Sequence, residues 1–378
     1  MSENIEIRAL KPTKAEYEKY TQFGIDLYKG NDCFVPPLVM DEVDTLLPDK
    51  NPAFESCESQ SWMAYIDGKP AGRITAIINR KANEKFREKA ARFGFVDFIE
   101  DFGVAKALFD TAEQWAKSKG MTKIVGPLGF SDMDHEGMLT FGFDEMGTMA
   151  TIYNYPYYPE YVERLGFKKV VDYVEYRITV PEQVPEKYAR MAKIVEHRLN
   201  LKVKRMPSRK ELAARYGQEI FSLINEAYSG LYGYVSLSPK QIEHYIKMYL
   251  GILKLDNICL IVDESDRLVC VGISMPSMSA ALRKSGGKLF PFGWWHLLRG
   301  LNGHTDVVDL LLIAVKPEYQ SKGVNAMLFN ELIPAFNSHG YKFAESNVEL
   351  EENESVQKQW DYFERRLHRR RRVYGKEI

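Results

Sequence analysis

Val307-Val-Asp-Leu-Leu-Leu-Ile-Ala-Val315, followed by Lys316-Pro-Glu-Tyr-Gln-Ser-Lys-Gly-Val-Asn-Ala326, is the stretch that decides how this 378-residue chain is read. The first nine residues are β-branched and leucine-rich and lie between Gly303 and Pro317, which predicts a buried strand. From Gly323 to His339 the apolar positions Met327, Leu328, Leu332 and Phe336 take helical spacing, and Gly340 supplies a stop. The turn between them carries Gln320, Ser321, Lys322 and Gly323. A turn that opens a helix presents unpaired backbone N–H groups and a partial positive charge, which suits a diphosphate.

The same plan of elements is written twice. In the first half, Ser61–Ile66, the turn Asp67-Gly68 and Ala71–Ile78 predict a hairpin; in the second, Ile258–Val262 and Leu268–Ile273 do the same. An insertion follows each hairpin. A strand and a helix come next (Phe93–Ile99 and Val104–Lys119; Val307–Val315 and Gly323–His339), ending at Gly120 or Gly340 before a further strand. Helical sequence opens each half, over Lys14–Tyr28 in one and over Arg209–Tyr228 and Pro239–Leu250 in the other. Pro181 to Pro185 reads as a linker. The expected division is 1–182 and 183–378, within an α/β (α+β) class of mainly antiparallel sheets flanked by helices.

The strand, turn and helix at 307–339 resemble the acyl-CoA-binding signature of the GNAT acetyltransferase superfamily, a strand followed by Gln/Arg-x-x-Gly-x-Gly/Ala and a helix. Gln320 and Gly323 match at the family's spacing; the last Gly/Ala position is Asn325, with Ala326 next. The resemblance extends over nearly the whole chain as a tandem, two-domain form, and Leu165-Gly-Phe167 looks like the family's helix-end Leu-Gly-Phe. It implies an acyl-CoA site in the second half formed by Ile313, Ala314, Val315, Gln320, Ser321, Lys322, Gly323, Val324, Asn325, Ala326 and Asn353. In the first half Glu100 stands where Gln or Arg belongs, beside Asp101. Two acids there would repel a diphosphate or serve as ordinary helix N-terminal residues, and that half is expected to be degenerate.

Acyl transfer from CoA to an amine needs a base for the amine, a polarised thioester carbonyl and a proton for the departing thiolate. Asp309 is the candidate base, a carboxylate inside an apolar strand on the same face as Leu311, Ile313 and Val315 by period-two counting. An end-of-strand aspartate reaching water is the plainer alternative. Asn353-Glu-Ser-Val-Gln-Lys-Gln-Trp360 resembles the family's Asn-x-x-Ala-x-x-x-Tyr, in which the tyrosine often protonates the thiolate. Trp360 occupies that position, and indole is no acid. Tyr362 is the substitute, although helical geometry sets it about 200° away.

Net charge is −1, which argues against nucleic acid as a partner. The basic run Arg365–Arg372 follows several glutamates and reads as a solvated face. The four cysteines show no paired spacing; Cys259 and Cys270 read as buried fillers, and no metal site is expected. The His135-Glu136 pair lacks the second histidine of a zinc helix, and its region reads as an acceptor wall. The aromatic insertion Gly286–Leu298 could line an acyl or acceptor pocket or touch a membrane, core packing being the commoner fate. No apolar run reaches the ~20 residues of a membrane span and the first residues are polar, so a cytoplasmic setting is expected. The expectation is an N-acyltransferase using acetyl-CoA or another acyl-CoA on an unidentified amine, with oligomeric state open. The alternatives are a tRNA-dependent aminoacyl transferase of tandem type and a non-catalytic CoA-binding scaffold.

Overall fold

A computed structural model describes residues 4–378. In chain order its elements are β1 (Ile5–Ala9), α1 (Lys14–Leu27), α2 (Val39–Leu46), β2 (Cys57–Ile66), β3 (Lys69–Asn79), α3 (Arg80–Phe86), β4 (Ala90–Phe98), α4 (Phe102–Ser118), β5 (Lys123–Gly126), β6 (Met138–Phe141), α5 (Tyr157–Arg164) and β7 (Lys168–Thr179). They continue with α6 (Glu186–Leu199), β8 (Lys202–Lys204), α7 (Arg209–Ala227), α8 (Pro239–Tyr245), β9 (Ile258–Val262), β10 (Leu268–Pro276), α9 (Ser279–Ser285), α10 (Gly293–Leu301), β11 (Val307–Val315), α11 (Val324–Ser338), β12 (Phe343–Ser346), β13 (Glu349–Leu350), α12 (Glu354–Gln357) and β14 (Arg365–Glu377). The chain divides into two compact units, one of Met1–Val174 with Ser279–Leu297 and Arg369–Ile378, the other of Glu175–Met278 with Leu298–His368.

The first unit orders its strands β1-β2-β3-β4-β5-β14. The β2–β3 hairpin turns where the sequence predicts, at Asp67 (φ 49°) and Gly68 (φ 77°), because a two-residue hairpin needs positive φ. β4 and β5 pair in parallel, the rest of this set antiparallel. α4 buries Val104, Ala105, Leu108, Phe109, Ala112 and Ala116 at helical spacing against β3 and β4. Phe167, just after Gly166 (φ 89°), packs on Phe93 and Phe109 at 5.5 and 5.2 Å between ring centres.

The second unit orders its strands β7-β12-β11-β10-β9-β8, and again one central pair, β11 with β12, is parallel. The hairpin, the strand and the following helix all lie where the sequence predicts them. The repeat is visible at atomic detail. A Cβ on Gly72 would lie 2.6 Å from Leu108 Cδ1, and one on Gly272 would lie 2.5 Å from Leu328 Cδ1. In each unit a bare strand backbone admits one leucine from the crossing helix, which sets the layer spacing.

Two sequence expectations are corrected. The basic run is not a solvated face: it lies in β14, where Arg369 and Arg371 are 1% and 0% exposed. Their guanidinium groups donate to the carbonyls of Met146 and Ile152, and Arg372 makes a two-pronged pair with Asp172 at 2.7 and 3.0 Å. Fixed acceptors make such burial tolerable. The aromatic insertion is not core: Phe290 and Phe292 are 78% and 74% exposed.

The close parallel contact in the first unit is testable. A Cβ on Gly94 would fall 2.4 Å from the main-chain oxygen of Leu128, which cannot rotate away. Gly94→Ala should cost about 2 kcal/mol or more in denaturant unfolding. Gly30, at φ +88° with nothing within 4 Å, should lose only about 1 kcal/mol on the same change. Equal effects would refute the packing account.

Candidate functional site

The second unit contains the turn singled out by sequence. β11 ends at Val315 and α11 begins at Val324. Within the turn, Ser321 (φ 59°) and Gly323 (φ 83°) both take left-handed backbone. Gly323 is the N-cap of α11 and supplies no side-chain cap. The N–H groups of Ser321, Gly323, Val324 and Asn325 find no acceptor among the described residues. Their dipoles add to that of a 15-residue helix, so the turn can receive an anion. Gln320 gives its side-chain amide to the Val315 carbonyl at 3.0 Å and holds the turn closed on its own strand. Lys322 lies exposed, its ammonium 5.6 Å from the Tyr319 ring. The missing side chain of Gly323 does not face open space; a Cβ there would meet Val195 and Met191 of α6 at 3.3 and 3.4 Å. Glycine therefore serves the backbone angle and the helix contact, and the N–H groups carry the polarity.

The corresponding turn of the first unit is closed. Only Ile99, Glu100 and Asp101 separate β4 from α4, and the Asp101 carboxylate accepts the Val104 N–H at 2.9 Å as N-cap. Asp97 nearby is buried and fully engaged, taking Arg73 Nε at 2.7 Å and the Tyr28 hydroxyl at 2.7 Å, while Arg73 also reaches Glu42 at 2.5 Å. This cluster is knit together by hydrogen bonds around the Arg73 guanidinium and reads as structural. Asp134, His135 and Glu136 are likewise bound within their own region, to Phe130 and Ser131 N–H, the Met149 carbonyl and the Tyr173 hydroxyl.

Asp309 is 4% exposed, in register with Met275 of β10 and Glu345 of β12. Period-two counting fails just beyond it. Ile273 pairs with Leu312 and Ser274 with Leu310, so Leu311 is an extra, bulged residue. Leu310 and Ile313 consequently line one pocket, and Asp309 lies on the other face with Glu345, not with Ile313 as counted. Glu345 is held by Arg177 at 3.2 Å and by His368 at 2.9 Å. After Leu310 pairs with Ser346, β11 continues to Val315 with no strand partner on that edge among the described residues. Two side chains substitute: Asn347 donates to the Leu311 carbonyl at 3.0 Å and Tyr228 to the Ile313 carbonyl at 2.9 Å. Beyond Leu310 this edge thus has no strand partner among the described residues, and the Ile313 and Val315 carbonyls are taken by the Tyr228 hydroxyl and the Gln320 side-chain amide.

Beneath α11 lies a narrow apolar pocket with a cavity volume of about 30 Å3, lined by Gly272, Ile313, Leu328, Phe329, Trp360 and Phe363 among others. Trp360 is 3% exposed and gives its indole N–H to Glu349 Oε1 at 2.8 Å. The other oxygen of Glu349 is shielded from solvent and lacks a partner among the described residues. Burial pushes the Glu349 carboxyl up to about 7, against the lowering effects of the Trp360 indole, the Arg365 cation and the Ser346 hydroxyl. That hydroxyl already donates to the Asn347 carbonyl at 3.0 Å. Sequence reasoning passed over Glu349 because it stands among several other acids. Tyr362, by contrast, is 49% exposed, its hydroxyl against Lys187. Asn353 caps the short α12, accepting the Val356 N–H at 3.4 Å. Cys259 and Cys270 are buried, as expected. Among the described residues no group of His, Cys, Asp and Glu is arranged to hold a metal, and no helix is long and apolar enough to cross a membrane.

Residues 28–128 match the sequence model of the Acetyltransferase (GNAT) family. The match falls in the unit whose turn is closed, not on residues 307–326. The chain is 26% identical over 376 residues to protein YghO of Escherichia coli K12, covering 97% of this chain and 94% of that one. It is 26% identical over 360 residues to a bacterial ceramide synthase of Caulobacter vibrioides, covering 91% and 90%. The fold is similar to that of a tandem GNAT protein from the clavulanic acid biosynthesis pathway, with a TM-score of 0.56, 12% identity, and 99% and 98% of the two chains covered.

Glu349 supplies a test of the site's electrostatics. A carboxyl raised to about 7 binds its proton more tightly folded than unfolded, so ionisation between the unfolded value and about 7 costs stability as pH rises. Glu349→Gln should match the parent near pH 5 and exceed it by about 1–3 kcal/mol above pH 8. Unfolding curves that keep the same separation at both pH values would refute the assignment.

Proposed function

We propose that this chain, a protein of tandem GNAT architecture, is an acyl-CoA-dependent N-acyltransferase whose second unit binds the acyl-CoA. The observation that carries the proposal is the uncapped turn Ser321–Asn325 at the end of the bulged β11. Four main-chain N–H groups at a helix start suit a diphosphate, and the strand edge at Ile313–Val315 suits the pantetheine arm that would follow. The relative named a bacterial ceramide synthase supports an acyl group longer than acetyl. The acceptor is an amine, and the setting we assign is cytoplasmic.

In the reaction the amine nitrogen attacks the thioester carbonyl, the C–S bond breaks, and the thiolate leaves and takes a proton. We assign the amine's proton to Asp309, directly or through a water. The proton for the thiolate comes from Tyr362 or, as the buried carboxyl titrating at about 7 supports, from Glu349. The scaffold alternative draws on Trp360 in the tyrosine position, and a working Glu349 removes its main support. The tRNA-dependent alternative drew on the basic run, whose Arg369 and Arg371 are buried.

Lys322→Glu sets a negative charge beside the turn and should weaken acyl-CoA binding about tenfold or more by calorimetry. Lys106→Glu, in the first turns of α4, should leave it unchanged. The reverse pattern would move the site to the first unit.

Asp309→Asn should lower the rate by about 10²–10⁴-fold with acyl-CoA affinity retained, and the rate should recover at high pH as the amine loses its own proton. A lowered melting temperature with an unchanged pH profile would mark Asp309 as structural. Loss of the thiolate step in Glu349→Gln but not in Tyr362→Phe would select between the donors.

A further inference from the structure

The segment Leu289–Leu298 collects five large apolar side chains at the surface: Phe290 at 78%, Phe292 at 74%, Trp294 at 45%, Trp295 at 46% and Leu298 at 49% exposure. Other exposed apolar side chains of the described chain are spread along the sequence, whereas these fall within nine residues. Single exposed hydrophobics are ordinary, but a contiguous set marks a contact.

The segment is held out by its base. Arg283 of α9 pairs with Asp32 at 2.5 Å, the Ser279 hydroxyl donates to the Gly147 carbonyl at 3.1 Å, and the Val39 N–H donates to the Gly287 carbonyl at 2.9 Å. A Cβ on Gly287 would lie 2.1 Å from the Pro37 carbonyl oxygen, so the backbone is pressed to its support. Beyond this anchor the aromatic loop satisfies itself. Trp294 gives its indole N–H to the Pro291 carbonyl at 3.2 Å, and the main chain of Trp294 and Trp295 bonds back to Leu289 and Phe292 at 2.8 and 3.2 Å. The apolar rings are presented by an ordered loop, and contact need not order it further.

Charge identifies the partner. From Arg267 to Thr305 there is no Asp or Glu, in a chain with 52 acids among 378 residues. The same stretch carries Arg283, Lys284, Lys288 and Arg299 around the aromatic residues. Arg283 is engaged by Asp32, and the exposed Lys284, Lys288 and Arg299 stand beside the phenylalanines and two indoles. This set matches the interface of an anionic bilayer, apolar rings at the acyl boundary and cations at the headgroups. A second copy of the chain would bring no acidic complement through this segment. We propose that Leu289–Leu298 is a peripheral membrane-docking surface for anionic lipid, independent of the acyltransfer assignment.

The test uses the full chain with vesicles of phosphatidylcholine alone or with an equal share of phosphatidylglycerol. Flotation should show binding to the anionic vesicles, weakening as salt is raised, and brominated lipid should quench tryptophan emission. Trp294→Ser with Trp295→Ser should reduce partitioning about tenfold or more, and Phe290→Ser with Phe292→Ser similarly, at unchanged melting temperature. Lys284→Glu with Lys288→Glu should remove the preference for anionic vesicles. No binding to either vesicle, or binding untouched by these changes, would overturn the proposal. So would a dimer in sedimentation that Phe290→Ser with Phe292→Ser dissociates, which would give the face to a second copy.

Discussion

One steric contact organises each unit: a leucine of the central helix set into a strand position that has no side chain. Leu108 over Gly72 and Leu328 over Gly272 fix how near the helix stands to its sheet. That distance sets where the start of the helix stands relative to its strand. Layer spacing is normally set by many side chains in compromise, but here one bare backbone position in each unit does much of it. Filling it would push the helix outward and carry the turn with it.

The same contact gives a common origin from which the two turns can be compared. In the first unit the chain goes from strand to helix in three residues and closes on the Asp101 carboxylate. In the second it takes eight residues, two of them left-handed, and leaves its N–H groups without acceptors. Loop length, more than residue identity, separates a closed helix start from an open one. The GNAT sequence model matches the shorter version, since its matched range spans the hairpin, strand and helix that build the core there. Core pattern and ligand turn are thus distinct properties of this chain.

Much of the fold was legible because it follows period and punctuation. The hairpins, β11, α4 and α11 fall within a few residues of their expected limits, each bounded by Gly or Pro. β14 was not legible, because arginines occupy its inward positions and hide the alternation that marks a strand; only their carbonyl and carboxylate partners make the burial sensible. The face of Asp309 was misjudged because Leu311 is bulged, and bulges leave no trace in a run of leucines. Glu349 was invisible for another reason: one acid among many in sequence becomes distinctive only when a tryptophan covers it.

The Asp101 cap can be viewed as a ligand that the first unit already carries. It is covalently attached within one turn of the Val104 N–H that it serves, so its effective concentration is set by the tether and not by what is dissolved. Raising the concentration of an outside competitor therefore does little, whatever its intrinsic affinity. Removing the carboxylate alone would free the Val104 N–H, yet leave a connector of three residues where the second unit has eight. The two units differ in tether length, a quantity that point substitution does not alter and insertion does.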